Sequence, residues 1–482
     1  MRKFVIVALS VLLTGCFSAN YCSKTLELAQ TDLAQNIYES IAQQSVETVS
    51  GIPEKWWELF EDEQLNYLIE LSLCCNPNIK VAQHRVNLAY EVAMQARSDL
   101  LPYIDAFGGY QRQKFSLYEF GVPALVPFLE GKNLFINLAQ ALLRGSFTLD
   151  VWGKNRALYC EQVNETEATR QDLEQAKLVL ATSIASAYFN LQSHLVQLQI
   201  LEQNTTDKRK VSALIKQRFY HGVTSEFFLY TEDRDVALLQ DQVEEMKGII
   251  ATDKHTLAAL VGNVASLCDT CIDIDIQIRA KYDCPFPLPE SLPLNLLARR
   301  PDVRAQVYRI ESARQDVVAS KARFLPNIDL VGSIGPVSFL LTKFFTKEAV
   351  SWLGEAEAIL PLYTGGQLCA KLGQSKEALE IAVQQYNRLV LKAVQEVSDA
   401  LSNLTTADSR RGQIRRAVED AKDLDRLTQE KFDHGIDTFV SVLNSRANVL
   451  VQQLTEAQIQ LSRMQAMVDL IQSIGGGYCG RL

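Results

Sequence analysis

The strongest constraint on this chain is that it contains itself twice. Asn76-Pro77-Asn78-Ile79-Lys80 lines up with Arg300-Pro301-Asp302-Val303-Arg304. That register of 224 residues holds without a gap to Leu101-Pro102-Tyr103-Ile104-Asp105 against Leu325-Pro326-Asn327-Ile328-Asp329. Farther on, Phe219-Tyr220-His221-Gly222-Val223 matches Phe432-Asp433-His434-Gly435-Ile436 at a register of 213. The second copy has therefore lost 11 residues between these landmarks. Proline and glycine recur at matching ends of both copies, which chance similarity between two helical stretches does not produce.

Each copy has the same plan. An approach helix is expected over 62–100, with a twin over 300–324. Pro102 and Pro326 stop these helices because proline cannot continue the hydrogen-bond ladder. Two extended segments follow, 103–113 and 143–151 in the first copy and 327–338 and 354–362 in the second. In 143–151, Phe147, Leu149 and Val151 alternate with Ser146, Thr148 and Asp150, the mark of a strand with unlike faces. The Gly-, Pro- and aromatic-rich segments 114–142 and 339–353 read as loops, and the 11 missing residues are assigned there. Very long helices come next. Residues 154–221 run for 68 positions without Gly or Pro, a rod of about 100 Å at 1.5 Å per residue. In the second copy only Gly412 interrupts between Gly373 and Gly435. Rods of that length need other helices beside them throughout.

The spacing of apolar residues shows how the rods pair. Leu443, Ala447, Leu450, Leu454, Ala457, Leu461, Met464, Val468 and Ile471 step by 4 and 3 in alternation, the 3.5-residue period of a left-handed coiled-coil seam. Leu229, Val236, Val243, Ile250 and Leu257 keep a seven-residue step in the first copy. Leu173, Ala176, Leu180, Ile184, Ala187, Leu191, Leu195 and Leu198 line its descending rod. The segments 219–227 and 432–439, with Gly222 and Gly435, are the turns where a descending rod meets a returning one. These stripes are packing and carry no chemistry.

The N-terminus reads as a processing signal. Arg2 and Lys3 precede a ten-residue apolar run, too short to cross a bilayer as a helix. The run ends in Leu13-Thr14-Gly15-Cys16, which resembles the bacterial lipobox and assigns Cys16 as the lipidation site. Phe17 stands where an Asp favours retention at the inner membrane, so its identity favours the outer membrane. No later segment is apolar enough for a transmembrane helix, and a membrane-spanning role therefore needs a β-barrel. Loss of Arg2 and Lys3 takes the formal net charge from −9 to −11, which argues against nucleic acid as a partner. Of the 10 cysteines, Cys268, Cys271 and Cys284 fall in an irregular stretch that can hold one disulfide. A zinc site there lacks a fourth ligand. Cys74, Cys75, Cys160 and Cys369 are expected to be buried thiols. The five histidines, His84, His194, His221, His255 and His434, show no metal spacing or triad and are read as solvated. No phosphate-binding loop appears, no catalytic residues are identified and no cofactor is implied.

Four strands per copy of the chain cannot close a transmembrane barrel, for which about eight is the minimum. Two helical hairpins likewise enclose no wide lumen. The strands and rods must combine with those of other copies in a closed ring. A lipid-anchored coiled-coil spacer without a pore is the alternative, but it leaves the paired strands in each repeat unexplained.

Several motifs give this organisation a family likeness. The chain resembles the outer-membrane efflux family typified by TolC, above all its lipoprotein branch (NodT/OprM-like). Leu292-Pro293-Leu294-Asn295-Leu296-Leu297-Ala298-Arg299-Arg300-Pro301-Asp302-Val303 is similar to that branch's linker signature, with Leu297, Arg299, Arg300, Pro301 and Asp302 at its heart. Trp56-Trp57-Glu58-Leu59-Phe60 resembles its N-terminal hallmark. Leu149-Asp150-Val151-Trp152-Gly153 and Pro361-Leu362-Tyr363-Thr364-Gly365-Gly366 fit its strand-to-helix joints. The resemblance implies a mainly α fold with a small β part. Long antiparallel helical hairpins would form a periplasmic α-barrel, and four strands per chain would contribute to a trimeric 12-stranded outer-membrane β-barrel. It also implies a periplasmic adaptor and an inner-membrane transporter, most often of the RND type, as partners. The chain divides accordingly into a signal peptide (1–15), a lipid-anchored linker (16–53), a first repeat (54–262), an equatorial linker (263–299), a second repeat (300–475) and a tail (476–482). Family members narrow at the periplasmic tip, where typical members carry acidic side chains on the second hairpin's return. Ser441 and Asn444 occupy the matching positions here, so the constriction is expected to be neutral and polar. Arg446, or Glu232 and Asp233 from the first copy, are the other candidates for lining the mouth.

Overall fold

The computed structural model describes residues 53–115, 134–262, 278 and 299–477. Cys16, Leu297 and the Cys268, Cys271 and Cys284 group lie outside them. The described chain opens with a 3-10 turn, Trp56–Phe60, followed by α1 (Glu63–Cys75), α2 (Pro77–Ser98), β1 (Tyr103–Phe115) and β2 (Leu134–Leu149). The first long hairpin is α3 (Lys154–Tyr220) and α4 (Glu226–Val261). The second repeat runs α5 (Pro301–Ala322), β3 (Asn327–Ser338), β4 (Val350–Ile359), α6 (Gln367–Asp433) and α7 (Phe439–Ser473).

The approach helix expected over 62–100 is two helices. Asn76 is extended between them, at φ −61° and ψ 126°, because the residue before a proline is pushed out of the helical region. Its side chain caps α2, accepting from the Asn78 amide at 2.7 Å, and Pro77 takes the first helical position, where its missing N–H costs nothing. Asn76 Nδ2 also donates to the Leu260 carbonyl at 2.6 Å, pinning the break to the end of α4. Gly262 closes α4 at φ 78°, and it leaves no room for a Cβ, which would fall 2.9 Å from the Asn76 Cα.

The four strands form one antiparallel sheet in the order β1-β2-β3-β4. The strand bounds differ from expectation: β1 runs on to Phe115, β2 begins at Leu134 rather than 143, and β4 is displaced to Val350–Ile359 from the expected 354–362. Gly335 sits where β3 presses on β2: a Cβ there would fall 2.0 Å from the Ala141 carbonyl oxygen.

The rods α3 and α6 are both 67 residues long. Their first residues, Lys154 and Gln367, keep the register of 213, whereas β1 and β3 begin at Tyr103 and Asn327, a register of 224. The 11-residue shortening therefore lies wholly in the strand hairpin. Next to the sheet the helices lie side by side in the order α2-α3-α5-α6; towards the far ends the order is α4-α3-α7-α6. The main core forms at mid-rod, where Trp56, Phe60, Leu65 and Ile69 pack on Ile184, Tyr188 and Phe189 of α3 and on Met464, Val468 and Ile471 of α7. Of the α7 seam, Leu443, Leu450, Met464, Val468 and Ile471 are buried, whereas Ala447, Leu454, Ala457 and Leu461 are half-buried. The expectation of buried thiols fails: Cys74, Cys160 and Cys369 are exposed and Cys75 is half-buried. They sit in helical sequence, but on faces that a single chain leaves uncovered.

Candidate functional site: open edges, a clasp and two tips

Strand register sorts the sheet's side chains between two faces, because residues paired across strands point the same way. One face carries Ile104, Leu143, Phe147, Leu149, Ile328, Leu330, Ile334, Val350 and Trp352. Trp352 is 77 % exposed in the single chain. The other face carries Asp105, Arg144, Ser146, Thr148, Asp329, Ser333, Glu355 and Glu357. Its polar groups bond to one another: Arg144 donates to Asp105 at 2.8 Å and Thr148 to Asp329 at 2.6 Å. One side is thus largely apolar, whereas the other carries the ion pair and hydroxyl contacts beside Phe107, Leu138, Leu142, Val331 and Leu353.

The sheet has two open ends, β1 and β4. Each is long and presents unpaired backbone donors and acceptors, an arrangement that proteins cover, blunt or close. The helical layers end on matching sides, with α2 and α4 of the first repeat at one margin and α6 of the second at the other. No described helix is apolar enough to cross a membrane.

The linker signature becomes a clasp. Arg300 is buried, and it donates to both carboxylate oxygens of Asp302 at 3.0 and 2.7 Å, to Glu396 of α6 at 2.7 Å and to the Ser473 carbonyl at the end of α7 at 2.9 Å. Burial opposes its charge, but Asp302 and Glu396 outweigh that and hold the guanidinium above its ordinary pKa. Pro301 starts α5, and Arg299 is buried next to the clasp. Gly475, at φ 87°, leaves room for Arg300, and a Cβ on Gly476 would meet Leu178 at 2.8 Å. The N-terminal hallmark meets the mid-rod core through Phe60, whose ring lies 5.0 Å from that of Phe189; just beyond it the Tyr188 hydroxyl donates to Asp62 at 2.9 Å, and the Asp62 carboxylate also caps α1. Pro102 and Pro326 stand at the helix-to-strand joints, and Trp152 Nε1 donates to the Pro326 carbonyl at 2.8 Å.

At the far ends Gly222 and Gly435 both adopt φ 71°, closing the rods as left-handed C-terminal caps. Ser441 is tied into the start of α7: its amide and hydroxyl both face the Thr438 hydroxyl, at 3.3 and 3.0 Å. Asn444 is exposed. Glu232 pairs with Lys208 of α3 at 2.9 Å, and Asp233 accepts from the Ser212 hydroxyl at 2.7 Å. Both carboxylates therefore bind α4 to α3.

Arg446 lies close enough to act on Asp207, a buried carboxylate on α3 that belongs to no sequence motif. Burial pushes Asp207 up, yet Lys210, Gln203 and Arg446 outweigh it and bring its pKa below the usual range. Beside it Val211 and Ile215 of α3 pack on Leu443 of α7, so the two hairpins are locked together near their tips. His194 also departs from the solvated reading, with Nδ1 2.6 Å from Asp253 of α4.

A sheet with one largely apolar face and one that carries its ion pair, open at both edges and continued by rods of about 100 Å, defines a subunit of a β-barrel prolonged by a helical tube. The chain belongs to the outer membrane efflux protein family, whose model matches residues 68–263 and 292–476. Proteins of this family are ducts and not enzymes. A relative in Escherichia coli K12, described as the putative multidrug resistance outer membrane protein MdtQ, is 26 % identical over 98 % of this chain and 97 % of its own. The probable efflux pump outer membrane protein TtgC of Pseudomonas putida is 26 % identical over 89 % of this chain and 86 % of its own. Among solved structures, the outer-membrane channel OprN superposes with a TM-score of 0.80 at 23 % identity, covering 89 % of this chain and 94 % of that one.

Proposed function

We propose that three copies of this chain close a twelve-stranded barrel over a twelve-helix tube. The assembly would serve as the outer-membrane exit duct of a tripartite efflux system for small molecules, fed by a periplasmic adaptor and an inner-membrane transporter of the RND type. The observation that carries this reading is the coincidence of open margins: β1, α2 and α4 on one side, β4 and α6 on the other. One copy's second repeat can then cover the next copy's first, which is a head-to-tail contact of the kind that closes rings. The multidrug and efflux-pump descriptions of the relatives support the cargo class. Lipid on Cys16 would anchor the chain to the outer membrane, with the rods in the periplasm.

The tips carry the entrance. With Glu232 and Asp233 engaged by α3, Ser441 and Asn444 are left to line a neutral, polar constriction. Purified mature protein in planar bilayers should conduct as a trimer, with weak block by millimolar divalent cations. A monomer that never conducts would refute the duct. Strong divalent block that persists after Glu232→Gln and Asp233→Asn would refute the neutral gate.

A further inference from the structure

The apolar face of the sheet does not fade evenly at its helix-distal end. On β1 the outward positions after Tyr110 are Arg112 and Lys114, paired with Asn137 and Phe135. Arg112 lies over the Phe135 ring at 4.9 Å. At the same level the β3–β4 turn reads Phe339-Leu340-Leu341-Thr342-Lys343-Phe344-Phe345-Thr346-Lys347. Its backbone is fixed by successive turns: Lys343 N–H donates to the Leu340 carbonyl at 2.9 Å and Thr346 N–H to the Lys343 carbonyl at 3.1 Å. That ordered turn holds apolar side chains outwards. Phe345 is 93 % exposed, and Phe339, Leu340 and Leu341 are each above 60 %. Lys343 and Lys347 have no carboxylate partner among the described residues, and the Thr346 hydroxyl donates to the Lys343 carbonyl at 2.9 Å.

Strand length sets the depth of this turn. β4 has ten residues, which at about 3.3 Å per residue and a tilt near 40° cover about 25 Å, the height of a barrel's apolar band. The shorter hairpin of the second repeat is therefore just long enough to span the band, and its turn emerges where headgroups begin. Aromatic and aliphatic groups with lysines at that depth match acyl chains next to phosphates.

We propose that Lys343 and Lys347, with Arg112 and Lys114 on β1, form a basic rim that binds phosphate groups of an anionic glycolipid in the outer leaflet, while Phe339 and Phe345 insert among its acyl chains. This rests on the duct reading, which places the strand turns outside. Native mass spectrometry of the detergent-solubilised full chain would compare bisphosphorylated lipid A with its dephosphorylated form. The phosphorylated lipid should bind at least about thirtyfold more tightly, the share expected of the two lysines alone at an anionic surface. K343Q/K347Q should abolish most of that preference, R112Q/K114Q should reduce it from a separate element, and F339S/F345S should weaken both lipids alike. Equal binding of the two lipids by wild type, or a preference untouched by both basic pairs, overturns the rim. Full competition by millimolar inorganic phosphate also overturns it, in favour of a free phosphate site. Conductance of the same preparations reports on the duct separately.

Discussion

Arg300 shows what one side chain does when it serves three elements. Its guanidinium joins Asp302, Glu396 and the Ser473 carbonyl at the end of α7, so Arg300→Ala leaves carboxylates and a helix terminus without their donor. Breaking a buried pair of this kind costs about 3 kcal/mol, and denaturant unfolding of the solubilised protein should show a loss of that order. Arg300→Lys should recover little, because an ammonium lacks the planar fork that reaches several acceptors at once. Asp207 gives a pH prediction. Its folded pKa lies below the ordinary carboxylate value, so its stabilisation is present above that ordinary value and disappears as pH falls through the lowered one. The stability gap between wild type and Asp207→Asn should be constant near neutrality and close in acid, below about pH 4. A gap that widened in acid would contradict the assignment. Gly335→Ala has no room for its methyl against the Ala141 carbonyl, and should lower the yield of folded oligomer in heat-modifiability gels.

In the proposed ring, the pairing of β2 with β3 within one chain would be the template for the pairing of β4 with β1 between chains, because each repeat contributes the same two strands. Leu143 opposite Ile334 translates, through registers of 213 and 224, into Ala356 opposite Tyr110 of the next copy. Ala356→Cys with Tyr110→Cys should cross-link subunits into a covalent ladder under oxidation, whereas Ala356→Cys with Ile104→Cys should not. The repeat, the rods, the joints and the turns were legible in the sequence because proline, glycine and heptads act locally. The first half of β2 was not. In 134–143, Ile136, Leu138 and Leu142 fall on one face while Phe135, Ala139 and Leu143 fall on the other, so the alternation that reveals a strand is absent. The break at Asn76 was misread because the helical pattern resumes at once after Pro77. Arg446 stood out in the sequence, but its meeting with Asp207 did not: that depends on which rods become neighbours, and no single helix encodes it.

At the scale of the whole molecule, α3 and α6 are equal to the residue while the strand hairpins differ by 11. The rods behave as a matched pair of rulers. An insertion of seven residues in one alone would put its turn about 10 Å beyond the other, and a common rim for an adaptor would be lost. The hairpins on the other side of the sheet face no such demand. Length change in this lineage is therefore expected to come as paired, heptad-sized steps in the rods and as free, unpaired steps in the strand turns, so that in the proposed trimer the tip end stays close to sixfold while the turn end drifts to threefold.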